Sequence, residues 1–147
     1  MLNGLLAARG LWTGSTRLFL GGPPAVSASE AALAPAIGGR FWRLAYSWAH
    51  DGRPHEGELL VGYQADVATV HFADSFHTGC AVMACTGAVG DDGVVDVAGT
   101  FAAPDGPDWG WRIAVEHVGR ESLRVTMHAV SPGGEVSPAV EASYAPA

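Results

Sequence analysis

Residues 51–76 read DGRPHEGELLVGYQADVATVHFADSF. A polar turn that contains Asp51 and Gly52 is followed by two runs in which apolar and polar residues alternate, at 58–64 and 67–75. Alternation with a period of two places every second side chain on the same face, which is the pattern of a half-buried β-strand. Neighbouring strands joined by such tight reversals must be antiparallel, so this stretch predicts a β-sheet protein.

The same signals recur along the whole chain of 147 residues, a length that suits one domain. Twenty Gly and nine Pro are spread through it, and the segments between them are short and alternating. This spacing predicts ten strands, at residues 11–20, 26–34, 41–50, 58–64, 67–75, 81–87, 94–102, 109–117, 122–131 and 138–145. Ten antiparallel strands are too many for a flat sheet with free edges. The predicted fold is therefore all-β, a single antiparallel up-and-down barrel over residues 1–147.

Two segments compete with this assignment because their patterns are weakly helical. Residues 27–33 read SASEAAL, in which Ser27 and Glu30 have the spacing of a capping box, and residues 2–9 form the second segment. We assign 27–33 to a strand, since its neighbours alternate and a helix there would leave a short sheet.

Charge excludes several classes of partner. The chain has a net charge of −7 and only eight Lys and Arg residues, so no basic stripe can follow a phosphate backbone. We predict no nucleic-acid partner, and an anionic membrane surface is disfavoured for the same reason.

The N-terminus and the cysteines indicate the cellular compartment. The sequence MLNGLLAARGLW has no positive residue before its apolar run and no clear cleavage site, so we predict a cytoplasmic protein. Cys80 and Cys85 would lie on opposite faces of an extended segment, which disfavours a disulfide and suits the cytosol. No set of His, Asp and Glu has metal-binding spacing on one face, so no metal is predicted.

The aromatic faces of the strands are predicted to line the inside. In the third strand Trp42, Tyr46 and Trp48 share one face, and in the eighth Trp111 opposes Arg112. The side chains predicted to line a ligand cavity are Trp42, Tyr46, Trp48, Tyr63, Phe72, Trp111, Val125 and Met127. Strand parity places Arg112 outside, along a neighbouring strand. It joins the ligand-binding set because a local bulge would turn it inward, where it could pair with a ligand carboxylate.

Short patterns in the same order and spacing also resemble a known group. They are GLWTG at 10–14, IGGRF at 37–41, DGRPHEG at 51–57, GY at 62–63 and FADS at 72–75, with weaker echoes in WRI at 111–113 and AVEA at 139–142. With them the chain resembles uncharacterised bacterial members of the lipocalin-like, or calycin, group, a family named only as a domain of unknown function. The resemblance implies a calycin-type barrel, with a cavity in many relatives and no assigned activity.

Nitrobindin-like barrels are more distant relatives within this resemblance. They bind haem through a histidine on the last strand, whereas residues 138–145 read PAVEASYA and contain no histidine. We therefore predict that the chain holds no haem, and no other cofactor is predicted.

Asp74 and His77 are the candidate catalytic residues. Asp74 is in register with Val70 and Phe72 on the apolar face, and a buried carboxylate must be hydrogen-bonded, paired or protonated. Its simpler role is to cap the following turn by accepting backbone N–H bonds. The functional alternative is general acid–base chemistry together with His77.

Three hypotheses of function remain open from the sequence. The first is a module that binds a small, largely apolar or aromatic molecule inside the barrel. The second is an enzyme in the same cavity, where Asp74 with His77 or Tyr46 promotes a proton transfer, an isomerisation or a cyclisation. The third is a filled barrel that acts through its surface, as a homodimer or a partner-binding domain.

Overall fold

The computed structural model describes Leu5 and residues 8–147 and shows an all-β fold. The strands are β1 (Gly10–Leu18), β2 (Ala25–Ala36), β3 (Phe41–His50), β4 (Arg53–Gln64), β5 (Val67–Asp74), β6 (Met83–Val89), β7 (Val95–Phe101), β8 (Trp109–Val118), β9 (Ser122–Val130) and β10 (Val136–Pro146). Each strand pairs antiparallel with its neighbours in the chain, and β1 also pairs with β10, so the sheet closes into a barrel. The predicted fold class is confirmed.

The hairpins on either side of β4 show why the stretch at 51–76 folds this way. Asp51 and Gly52, between β3 and β4, have φ values of 50° and 73°. Ala65 and Asp66, between β4 and β5, have φ values of 52° and 63°. Positive φ at both central residues is the signature of a type I′ turn, whose twist matches that of the flanking strands. The two turns fix the register of β3, β4 and β5.

Side-chain alternation places the aromatic and branched residues inside the barrel, as predicted. On β3, Trp42, Leu44 and Trp48 are buried, and on β8 so are Trp111 and Ile113. Removing this apolar surface from water is the main force that closes the barrel.

The two ends of the barrel differ in their connections. At the first end, which we call the open end, the strands are joined by residues 19–24, 51–52, 75–82, 102–108 and 131–135. At the other end, the plugged end, shorter connections at 37–40, 65–66, 90–94 and 119–121 join the strands. Leu5 and Ala8 precede β1 at the plugged end and belong to the hydrophobic core, with exposures of 2% and 0%.

Several predicted boundaries needed correction. Strand β4 begins at Arg53 instead of 58, because residues 53–57 pair with the end of β3. Residues 27–33 lie within β2, so their assignment to a strand is confirmed. The second weakly helical segment, 2–9, lies largely outside the described residues. Strand β10 begins at Val136 and carries an irregularity between Pro138 and Val140, so Ala139 is an extra residue there.

Candidate functional site

Three neighbouring strands bring one glycine between two polar side chains near the open end. Tyr46 of β3 pairs with Gly57 of β4, and Gly57 pairs with Asp74 of β5. A Cβ atom at position 57 would overlap the Tyr46 hydroxyl and approach Asp74 Oδ2 to 2.8 Å. Because glycine leaves this space free, the Tyr46 hydroxyl reaches Asp74 Oδ2 at 2.6 Å.

Hydrogen bonds occupy both oxygens of the buried Asp74 carboxylate. Oδ1 accepts from the backbone N–H groups of Phe76, at 2.8 Å, and His77, at 3.0 Å. Oδ2 accepts from the Tyr46 hydroxyl and, at 3.3 Å, from the Trp48 indole N–H. An ionised carboxylate has about four acceptor positions, so its capacity is used. Asp74 caps the turn after β5 and also orients two aromatic side chains of β3.

The same contacts keep Asp74 ionised. Burial acts to raise the pKa of its carboxyl, but the contacts with His77 and the hydrogen bond from Tyr46 outweigh burial and lower that pKa from 3.8 to about 2. Burial and the adjacent Asp74 charge raise the pKa of the Tyr46 hydroxyl well above its ordinary value. A carboxylate with so low a pKa is a weak base at neutral pH. The Asp74 carboxylate is therefore better suited to hold Tyr46 and Trp48 in position than to remove a proton from a ligand.

His77 lies beside Asp74 in the connection between β5 and β6. Its Nδ1 atom is 3.4 Å from Asp74 Oδ1, and its side chain is only 13% exposed. The imidazole stacks on Trp48 with a centroid distance of 5.8 Å and lies 5.3 Å from the Trp111 ring. Phe76 contacts the same imidazole edge to face. His77 therefore lies between the Asp74 carboxylate and the rings of Trp48, Phe76 and Trp111.

Inside the barrel, the cavity next to Asp74 is very small. Its volume is about 10 Å³, near the minimum that holds one water molecule. Its walls are formed by Thr16, Tyr46, Trp48, Asp74, His77, Val125, Met127, Val140, Ala142 and Tyr144. Tyr144 is held by a hydrogen bond of 2.8 Å to Ser29, whose hydroxyl donates to the Ser47 carbonyl. The interior beside Asp74 is therefore packed with side chains.

A much larger cleft lies on the other side of His77, at the open end. Its volume is about 450 Å³. It lies between the β1–β2 connection, the β5–β6 connection and the start of β10, and its walls are Phe19, Leu20, Gly21, Gly22, Phe76, His77, Trp111, Ala129, Ser137, Pro138 and Ala139. Ala139, the extra residue in β10, forms part of this wall. A neighbouring pocket of about 260 Å³ shares Phe76, His77 and Trp111 and adds Met83 and Phe101.

Trp111 lines both the open-end cleft and the neighbouring pocket. Its ring is nearly parallel to that of Phe72, at 9° and 6.1 Å, and Phe101 meets it edge to face at 6.0 Å. The indole Nε1 is buried, and the residues that the structure describes offer it no acceptor. An indole N–H can only donate, so the polar atom of this side chain is unsatisfied.

Comparison with known proteins relates this barrel to a family. A family model described as "Protein of unknown function (DUF1579)" matches residues 3–145. The chain belongs to the DUF1579 family. Among solved structures, it is similar to the crystal structure of Rv2717c from M. tuberculosis, with a TM-score of 0.67 and 15% identity over 99% of this chain and 96% of that chain. At this identity the likeness shows a shared fold. No curated protein matches the chain in sequence.

In this member of the DUF1579 family, the predicted ligand-binding residues divide into two groups. Tyr46, Trp48, Phe72, Trp111, Val125 and Met127 surround Asp74 and His77. Trp42 and Tyr63 lie near the plugged end, where Trp42 pairs with Val61. The Tyr63 hydroxyl donates to Asp66 in the β4–β5 turn. These two residues are far along their strands from the candidate site, so the structure does not bring them to it.

Arg112 requires a correction. Strand β8 pairs with β7 and β9 over its described residues in continuous register, so the bulge that would have turned Arg112 inward does not occur. Its side chain is 51% exposed and lies 3.7 Å from Asp96 on the outer surface. Arg112 therefore lies on the outer surface, as strand parity had predicted, and not inside the barrel.

Three further histidines, His50, His55 and His117, lie at or near the ends of strands. His50 and His55 are half-buried, and their rings meet Phe76 edge to face at 5.8 Å and 5.3 Å. His117 is half-buried as well, and burial lowers its pKa. Phe76 therefore contacts three histidines, His50, His55 and His77.

Sequence reasoning missed some residues of the site. Gly57, Phe19, Phe76 and Ala139 were not predicted to take part. A glycine inside a strand signals close approach of a neighbouring group, but Gly57 lay outside the strand predicted at 58–64, so this signal did not apply to it. The others depend on how the connections at the open end fold, which strand periodicity does not report.

Two further findings concern the described residues, Leu5 and 8–147. Among them, no three His, Cys, Asp or Glu side chains are grouped so that they could hold a metal ion. In the same residues, no helix has the length and apolar character needed to cross a bilayer.

Proposed function

We propose that this chain binds a small, largely apolar molecule in the cleft at the open end of its barrel, in the manner of a calycin-like ligand-binding module. The observation that carries the proposal is the cleft itself. Its volume of about 450 Å³ is within the range of small-molecule sites. Its described walls are aromatic, aliphatic and glycine residues with one histidine and one serine, and none of them is Asp, Glu, Lys or Arg.

The open end is a better site for this ligand than the barrel interior predicted from the sequence. A cavity of about 10 Å³ beside Asp74 holds no more than a water-sized group. Opening it would separate Tyr46 and Trp48 from a buried carboxylate, which is costly. In this proposal the inner residues keep Asp74 in place, and the ligand rests above it.

The test is a fluorescence titration with N-phenyl-1-naphthylamine, a neutral probe that brightens in apolar surroundings. Phe76 forms part of both pockets yet is 37% exposed, so Phe76→Ser removes one wall with limited damage to the fold. We expect affinity to fall about tenfold, the equivalent of 1.4 kcal/mol. Val82→Ser is the matched control, because Val82 is an exposed apolar residue of the same connection outside the walls of either pocket. Absence of saturable binding to the wild type would refute the proposal.

One observation favours catalysis as a second function. His77 is in the wall of the cleft with Nδ1 3.4 Å from the ionised Asp74, an arrangement that orients an imidazole for proton transfer. A suitable probe is 5-nitrobenzisoxazole, a neutral aromatic compound: a base removes its C–H proton, a nitrile forms and the N–O bond breaks to give a phenolate. We expect faster opening than in buffer, lost in His77→Gln and reduced in Asp74→Asn. No acceleration by the wild type would eliminate this function and leave the binding proposal intact.

A further inference from the structure

We propose that the ligand of the open-end cleft is a neutral molecule with an aromatic or apolar body and one hydrogen-bond acceptor, such as a carbonyl oxygen, and that the Trp111 indole N–H donates to this acceptor. The inference rests on the proposed function of the cleft and adds the chemical class of its ligand.

The unsatisfied indole of Trp111 points to an acceptor on the ligand. Trp111 is 6% exposed, and its Nε1 is enclosed without an acceptor among the described residues. Buried donors in folded proteins are nearly always paired, so an unpaired one in the wall of a cleft calls for a specific explanation. A ligand oxygen would supply the missing bond and would recover the stability that the unpaired donor costs.

The walls of the cleft favour a neutral acceptor over a carboxylate. None of the described wall residues is a Lys or Arg that could pair with an anion. Asp74 is ionised directly behind His77, and the whole chain carries a net charge of −7. Arg112, next to Trp111 in the sequence, lies on the outer surface. An anionic group placed beside Trp111 would lose its hydration and meet a negative potential.

Two aromatic neighbours of Trp111, Phe72 and Phe101, lie on strands, and the third, His77, lies in a connection between strands. Phe72 stacks on the indole and Phe101 meets it edge to face, so the direction of the N–H is fixed by packing. His77 is the neighbour that lies in an inter-strand connection, with its ring centroid 5.3 Å away. Because Nε1 is enclosed, we expect the ligand to shift His77 as its acceptor reaches the donor. A donor that is already oriented favours ligands that can use it.

The experiment compares three probes of nearly equal size by titration calorimetry or competition with N-phenyl-1-naphthylamine. 2-Acetylnaphthalene carries a neutral carbonyl, 2-isopropylnaphthalene has the same shape without an acceptor, and 2-naphthoate carries a charge. We expect the wild type to bind 2-acetylnaphthalene about tenfold more tightly than either of the others, the effect of one well-formed hydrogen bond.

The matched variants are Trp111→Phe and Trp109→Phe. Trp111→Phe keeps an aromatic ring in the wall and removes the donor, so the carbonyl preference should disappear while affinity for 2-isopropylnaphthalene stays within about threefold. Trp109 lies two residues away on the same strand face and is in the wall of neither pocket, so Trp109→Phe should keep the preference. Equal binding of the two neutral probes by the wild type, or a preference that survives in Trp111→Phe, overturns this inference. Failure of every probe to bind overturns the proposed function instead.

A measurement on the wild type covers the case in which Trp111→Phe does not fold. The chain has five Trp, so a ¹⁵N-resolved spectrum contains five indole N–H signals. Once assigned through the contacts of its neighbours, the Trp111 signal should move downfield with 2-acetylnaphthalene and much less with 2-isopropylnaphthalene. Equal shifts with both probes would contradict the inference.

Discussion

Two buried tryptophans, one at each end of the barrel, have opposite surroundings. At the plugged end, Trp12 is 3% exposed and its indole N–H donates to the Ala8 carbonyl at 2.6 Å. At the open end, Trp111 is 6% exposed and its indole N–H has no acceptor among the described residues. Both rings are buried to a similar extent, so the difference lies in the polar atom and not in the packing.

This difference indicates that the two ends serve different purposes. The plugged end satisfies the Trp12 indole within the chain, and Leu5 and Ala8 there belong to the hydrophobic core, which suits a structural cap. The open end has longer connections, an open cleft and an unpaired donor, and unsatisfied groups of this kind concentrate at functional sites.

The largest effect is expected from Asp74→Ala, because among the described residues Asp74 is the one charged side chain that is buried. The substitution leaves the Tyr46 hydroxyl and the Trp48 indole N–H buried without their acceptor and also removes the turn cap. We expect a loss of about 4 kcal/mol in the free energy of unfolding, measured by urea denaturation. Asp74→Asn keeps an acceptor oxygen and should cost on the order of 1 kcal/mol. If Asp74→Ala were as stable as the wild type, the carboxylate would contribute nothing to the free energy of unfolding.

Gly57→Ala is expected to have the next largest effect. Its Cβ would overlap the Tyr46 hydroxyl and force it away from Asp74, which should cost about 3 kcal/mol in the free energy of unfolding. The control is a double-mutant cycle with Tyr46→Phe, which removes the hydroxyl that the new methyl group meets. We expect the double variant to be more stable than the sum of the two single effects predicts. Strict additivity would mean that Gly57 and Tyr46 do not compete for this space.

The pH dependence of stability follows from the lowered pKa of Asp74. In the folded chain its pKa is about 2, against 3.8 for the free side chain. Its stabilisation is therefore complete well above pH 3.8 and is lost as the pH falls through about 2, with a total of about 2 kcal/mol. The difference in unfolding free energy between the wild type and Asp74→Asn should shrink over this window. A difference that stays constant down to pH 2 would show that the carboxyl is not held ionised by its partners.

The smallest effect is expected in a comparison of the stabilities of Trp12→Phe and Trp111→Phe. Both Trp12→Phe and Trp111→Phe remove part of a ring from the core, but only Trp12→Phe also breaks a hydrogen bond. We expect Trp12→Phe to be less stable than Trp111→Phe by about 1 kcal/mol in chemical denaturation. If Trp111→Phe proved the less stable of the two, the open end would contain a stabilising bond that the account lacks.

The sequence predicted the barrel well because strand alternation is a local signal. The shared face of Trp42, Tyr46 and Trp48 followed from a period of two, and the turn at Asp51 and Gly52 followed from turn chemistry. The burial of Asp74 and its turn-capping bonds could be predicted in the same way, because they involve residues close in the chain.

The cleft could not be predicted from the sequence. It brings Phe19, Phe76 and Ala139 together from three distant parts of the chain. Their meeting depends on barrel closure between β1 and β10 and on the irregularity in β10. Whether aromatic side chains fill the interior is likewise a matter of packing volume, which the pattern of apolar residues does not specify.

The most direct test of the account is to locate a bound apolar probe on the protein. In an assigned ¹H–¹⁵N spectrum, saturating N-phenyl-1-naphthylamine should shift the backbone signals of Phe76, His77 and Ala139, together with the Trp111 indole N–H. The Trp12 indole and the backbone of Trp42 and Tyr63, at the plugged end, should stay unchanged. Shifts concentrated at the plugged end, or saturable binding that leaves the open end unperturbed, would contradict the assignment of the open end as the ligand site.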